Sequence, residues 1–225
     1  MFLVVPRSVR DGAGKKAIPV ANAVIVALNV LCFSLGWQWH VGPATSLFSI
    51  VGYGFSHASL MHLIVNMWVL LVFGNAVNRR VGNSYYLLAY LGTIVCLGMV
   101  ARLFSFSYLV GSSGGIFAII AMFAMLLPSV LVEVFYIAVF PLTLLLGLFS
   151  RPSHWLFWLM RWDTLYVRGW WFILLVPVIE LMSLFWWSWN WTNLGHLVGF
   201  LCGVAVVLML PTKISMRSRV NYGMS

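Results

Sequence analysis

Long apolar runs, broken by short polar or aromatic stretches, occupy most of this chain. They fall near 19–37, 60–77, 85–103, 113–127, 170–187 and 194–210. Each approaches the ~20 residues that a helix needs to cross a hydrocarbon core. The pattern predicts an all-α fold, a polytopic bundle of six transmembrane helices in one membrane domain. One further run, "SVLVEVFYIAVFPLTLLLGLF" from Ser129 to Phe149, is also long enough to cross, but Glu133 and Pro141 weaken it as a span.

The distribution of positive charge separates the two topologies. With the N-terminus inside and 129–149 not crossing, the inner segments hold Arg7, Arg10, Lys15, Lys16, Arg79, Arg80, Arg151, Arg161, Arg168, Lys213, Arg217 and Arg219. Of the 13 basic residues only Arg102 then lies outside, as the positive-inside rule requires. A crossing at 129–149 would put Arg151, Arg161 and Arg168 outside, or force "RWDTLYVR" through the membrane. Residues 129–149 therefore read as a re-entrant or interfacial hairpin, and 129–169 as that hairpin plus an inserted loop. Residues 1–18 read as a short cytoplasmic tail, too short and too charged to be a cleavable signal peptide. The core is 19–210, and 211–225 form a basic cytoplasmic tail.

Composition agrees. The chain is 63% hydrophobic and 8% charged, against about a quarter charged in an ordinary soluble domain. A polar surface is out of reach, and the lipid bilayer is the implied surrounding. The net charge of +9 sits beside membrane segments and implies no nucleic acid. Tryptophans gather near predicted membrane edges, as in "GWQWH" and "FWWSWNW". Cys32, Cys96 and Cys202 lie in apolar runs without metal-ligand spacing, so they read as packing thiols, and no metal or organic cofactor is expected.

Polar residues inside these runs are costly and therefore informative. In "SHASLMHLIVNMW", His62 and Asn66 are four residues apart and share a helical face, with His57 at or before the helix start. Alone, they fit an interhelical hydrogen-bond cluster. "GSSG" at Gly111–Gly114 opens the fourth run, and taken alone it favours packing. In "NLGHLVGFLCG", His196 is followed on the same face by Gly199 and Gly203, small enough to accept a stripe of Gly114, Ala118 and Ala121. The predicted topology puts all three stretches at one depth near the outer surface. A serine needs a base to become a nucleophile, and an attacked amide needs donors for its oxyanion. Convergence at one depth shifts the reading from packing to chemistry. Ser112 is the rival nucleophile, while His40 and His154 read as interfacial or loop histidines.

These stretches resemble the rhomboid intramembrane serine proteases across nearly the whole membrane core. "HASLMHLIVN" is similar to that family's H-x-x-x-x-H-x-x-x-N, "GSSG" to its G-x-S-G, and "GHLVG" to its last histidine motif. The resemblance implies Ser113 as nucleophile and His196 as base and later acid. It implies His62, Asn66 and the Ser113 backbone N–H as the oxyanion hole, with His57 beside a polar cavity that admits water. Gly111, Gly114, Phe117 and Gly199 would be supporting residues. Many members have a tyrosine where this chain has Phe117, and the 150–169 insertion is longer than usual. The family uses a dyad, and no acidic third member is apparent here, Glu180 falling in the middle of the fifth span. The expected activity is endopeptidase cleavage of transmembrane protein substrates near the outer face, in a bacterial inner membrane with both termini cytoplasmic. One rival is a catalytically inactive relative that binds or escorts membrane proteins. Another is a transporter or channel using His57, His62 and Asn66, an idea that Glu180 alone sustains on the inner side.

Overall fold

The computed structural model describes residues 2–10, 18–43, 45–103, 109–140, 143, 159–186 and 191–211. Apolar helices stand at all six expected places: α1 (Val20–Ser34), α2 (Leu60–Val81), α3 (Asn83–Leu103), α4 (Ser113–Leu126), α5 (Trp171–Trp186) and α6 (Trp191–Met209). Helices α2, α3 and α6 are long and apolar enough to cross a membrane by length and composition, while α1, α4 and α5 are apolar but shorter. Large apolar side chains such as Leu88, Met99, Ile179, Leu201 and Leu208 face outward, as lipid-contacting surfaces do.

Helix α4 is the central post. Gly114, Gly115, Ile116 and nearly every residue from Ala118 to Leu126 are buried, so it has no exposed stripe of the kind a peripheral helix shows. Its main partner is α6, and the expected small-residue stripe is their line of contact. A methyl built on Gly199 would lie 3.0 Å from the Gly114 carbonyl carbon, and one on Gly203 would lie 2.7 Å from Ala118 Cα. Only glycine allows backbones this close.

Helix α2 passes through a π turn at Leu70–Gly74, which loosens its carbonyl ladder. Asn22 of α1 meets that turn, its Nδ2 donating to Leu70 O at 2.9 Å and to Asn75 Oδ1 at 2.8 Å. The Asn22 backbone N–H donates to Asn78 Oδ1 at 3.0 Å, and Tyr86 OH donates to Asn22 Oδ1 at 2.6 Å. This buried network ties α1, α2 and α3 together, and the reading of intramembrane polar residues passed over it.

The all-α expectation is corrected by a three-stranded antiparallel sheet, β1 (Phe2–Arg10), β2 (Leu131–Val139) and β3 (Met160–Arg168), in the order β1-β2-β3. The expected N-terminal tail supplies β1, the supposed hairpin supplies β2, and the inserted loop supplies β3. The reason is period. Along β2, Val132, Val134, Tyr136 and Ala138 are buried while their neighbours are not, an alternation of two that a helix cannot satisfy. Edge strand β1 tolerates Pro6, with an irregular register between Pro6 and Ser8. Glu133 accepts from Ser8 Oγ at 3.1 Å and pairs with Arg7 at 3.6 Å, so its charge is used in the sheet. The sheet joins the bundle at the end of α4 and the start of α5, away from Ser113. The expected C-terminal tail beyond 211, with Lys15, Lys16, Arg151 and His154, lies outside the described residues.

Candidate active site

Ser113 is the first residue of α4, and the segment leading to it is held by backbone bonds to the preceding loops. Val41 and Leu109 exchange hydrogen bonds at 3.1 and 3.0 Å, and Gly111 N donates to Tyr53 O at 2.9 Å. Tyr53 OH in turn donates to Ile94 O of α3 at 2.8 Å. Gly111 turns the chain with φ +114°, a conformation that favours glycine. Its bare Cα also admits the α2 side chains. A methyl there would sit 2.8 Å from His62 Cε1, 3.1 Å from His62 Nε2 and 3.9 Å from Asn66 Nδ2. His62 and Asn66 thus lie over the turn before Ser113, as their shared face predicts.

Helix α2 starts where it does because Ser59 caps it, its Oγ accepting from His62 N at 3.2 Å. His57 precedes the cap and is fully buried. Its ring meets His62 edge-on at 5.0 Å, and its Nε2 is 3.2 Å from Ser112 Oγ. Burial, with His62 adding to it, pushes the His57 pKa down to about 4. His57 is therefore a neutral hydrogen-bonding partner at ordinary pH. Ser112, the rival serine, is engaged with it.

His196 enters from the first turns of α6. Its ring lies flat on Phe117, with centroids 4.1 Å apart and planes 9° from parallel. Ser113 and His196 line one cavity of about 30 Å³ with Tyr53, Gly111, Gly114 and Thr192. That is room for a water or two. His196 Nε2 is buried without a hydrogen-bond partner among the described residues, and so is Asn66 Nδ2. The opposite ring nitrogen is engaged: His196 Nδ1 stands 3.1 Å from Glu180 Oε1, and Asn193 Nδ2 donates to Glu180 Oε2 at 2.6 Å.

Comparison with known proteins was decisive. The family model for the Rhomboid domain matches residues 44–213, most of the chain. The chain belongs to the rhomboid family. It is an integral membrane protein, mostly helical, with the sheet added to the rhomboid bundle. It is also similar to "Rhomboid protein 1, mitochondrial" of Saccharomyces cerevisiae, 30% identical over 137 residues, covering 52% of this chain. The match spans only 38% of that relative's length.

The rhomboid motif residues named from sequence come together at one end of the bundle. Gly114 and Gly199 form the α4–α6 contact, and Phe117 is the platform for His196. The expectation that no acidic residue attends His196 is corrected by Glu180. It looked like a mid-span residue, yet it lies six residues from the end of α5, a depth of about 9 Å. His196 lies five residues into α6, a depth of about 7.5 Å. Matching the depths of neighbouring helix ends is the signal that would have found it.

Proposed function

We propose that this rhomboid is an active intramembrane serine endopeptidase that cleaves transmembrane segments of other membrane proteins. Ser113 is the nucleophile, and His196 is the general base and then the acid. His62 and Asn66, with the Ser113 backbone N–H, stabilise the oxyanion. One observation carries the reading: Ser113 and His196 share a single small cavity in which His196 Nε2 is buried and unpartnered. A lone pair held in this way can take the serine proton, and Asn66 Nδ2, also unpartnered, can donate to developing negative charge. His57, Gly111, Gly114, Phe117 and Gly199 hold this constellation in place.

Depth supports the same reading. Helix α4 has 14 residues, about 21 Å of helix against a core of about 30 Å. A nucleophile at its first residue is sunk below the membrane surface, where a substrate helix has to unwind to expose an amide. The six-crossing topology, with both termini on the cytoplasmic side of a bacterial inner membrane, puts this recess at the outer face and the basic residues inside.

The test is labelling of the purified protein in detergent with a fluorophosphonate probe, beside cleavage of a transmembrane model substrate. The intact protein is expected to do both. Ser113→Ala abolishes labelling and lowers cleavage by a factor of about 10³ or more, whereas Ser112→Ala keeps most of both. Labelling that survives loss of Ser113 overturns the assignment. An intact protein that does neither belongs with the inactive binding or escort proteins.

A further inference from the structure

We infer that Glu180 is a positioning residue for His196, so that the site works as a Ser113–His196–Glu180 triad with Asn193 locking the carboxylate. The inference rests on His196 being the general base, and it adds a group that neither the motifs nor the family match supplies. A carboxylate in an apolar helix is costly unless each oxygen finds a donor. Here both do, Oε1 from His196 Nδ1 at 3.1 Å and Oε2 from Asn193 Nδ2 at 2.6 Å. Asn193 and His196 are three residues apart on α6, so one face of that helix grips the side chain from α5.

The chemistry follows from which ring nitrogen is engaged. A carboxylate accepts hydrogen bonds and does not donate, so His196 Nδ1 carries the proton and Nε2 keeps its lone pair. Nε2 is the unpartnered ring atom, and His196 lines the same cavity as Ser113. As Ser113 Oγ bonds to the substrate carbonyl carbon, its proton passes to Nε2 and the carbonyl electron pair moves onto oxygen. When the oxyanion collapses, the C–N bond breaks and the same proton leaves on the amine. Water then repeats the sequence on the acyl-enzyme and returns the proton to Ser113. Glu180 faces the imidazolium that forms twice per cycle. Its burial in a low-dielectric setting makes that attraction count. Among the described residues, the other titratable groups near His196 are His62, from α2, and Tyr53, which lines the same cavity. The remaining described acids, Glu133 and Asp163, are in the sheet at the other end.

A residue that only glued α5 to α6 would tolerate an isosteric amide better than a shorter acid. A positioning carboxylate predicts the reverse. In Glu180→Gln the Asn193 donor claims the amide oxygen and turns the amide NH2 toward His196 Nδ1. The ring proton is thereby forced onto Nε2. We expect kcat to fall by about 10²–10⁴-fold with little change in KM. Glu180→Asp is expected to stay at least about tenfold faster than Glu180→Gln, and Asn193→Ala to fall between them. ¹⁵N-histidine NMR of the full chain in detergent reads the tautomer directly: Nδ1-protonated His196 in the intact protein, Nε2-protonated in Glu180→Gln. The inference is overturned if Glu180→Gln cleaves within threefold of the intact protein, or if the intact protein carries the His196 proton on Nε2. If the intact protein cleaves nothing, the protease reading fails by itself. The tautomer measurement still decides the Glu180 contact, and it does so even where a variant fails to fold.

Discussion

Replacing Gly199 by alanine tests whether the α4–α6 contact sets the distance between Ser113 and His196. The added methyl would lie 3.0 Å from the Gly114 carbonyl carbon and 3.1 Å from its Cα, with the Gly114 carbonyl oxygen nearer still. Ordinary carbon contacts sit at about 3.5–4.0 Å, and these neighbours are backbone, which cannot rotate away. The helices have to part by roughly 0.5–1 Å. Overpacking of this kind costs about 1–3 kcal/mol of stability, and misplacement near 1 Å costs about 10²-fold in rate. Gly114 adjoins Ser113, and Gly199 lies one turn below His196, so the displacement falls on the proposed reacting pair. The expected result is a kcat lower by about 10–100-fold with KM nearly unchanged, together with a lower Tm. Gly203→Ala is the control, because it makes a somewhat tighter clash, 2.7 Å from Ala118 Cα, one turn deeper. It is expected to lower Tm as much but the rate less. The reasoning is refuted if Gly199→Ala loses stability and keeps its full rate, or if Gly203→Ala is the slower enzyme.

Two further outcomes are open to direct measurement. Asn22→Ala strands Leu70 O, Asn75 Oδ1 and Tyr86 OH. It should therefore destabilise the detergent-solubilised protein by about 2–4 kcal/mol, with specific activity of the folded fraction unchanged; an unaltered unfolding curve would refute the network's structural role. His57 stays neutral in the folded protein down to about pH 4, whereas its ordinary value is 6.5. Between those values the unfolded chain binds the extra proton, so this contribution is intact above pH 6.5 and is lost as pH falls toward 4. Tm measured across that window should fall on acidification, and His57→Gln should flatten the decline.

What sequence could reveal followed from the period and length of each apolar run. The six helices were legible because each has a run near spanning length. The polar residues that meet at one end of the bundle were legible because each stands at the end of an apolar run. Residues 131–139 misled because length was read before period: "LVEVFYIAV" is apolar enough to join a spanning run, but its β-branched and aromatic residues alternate in burial. The strand partner "FLVVPRSVR" is far away in sequence, and no local pattern announces pairing across such a separation. The Glu180–His196 contact is not legible from the fifth run alone, because it depends on matching depth along two neighbouring helices.

Two polar clusters lie in this bundle, and they differ in how completely they are satisfied. Around Asn22, Nδ2 has two acceptors, Oδ1 has a donor and the backbone N–H has a third partner, so the cluster closes on itself and can only hold helices together. Around Ser113, His57 Nδ1, Asn66 Nδ2 and His196 Nε2 are buried without partners among the described residues. Each such atom costs about 1–3 kcal/mol unless a water or a bound group satisfies it. Two of the three border the Ser113 turn, and in the proposed mechanism their open valences would take up the serine proton and donate to the oxyanion. Together with the cavity that Ser113 and His196 share, those open valences support the proposed site at Ser113.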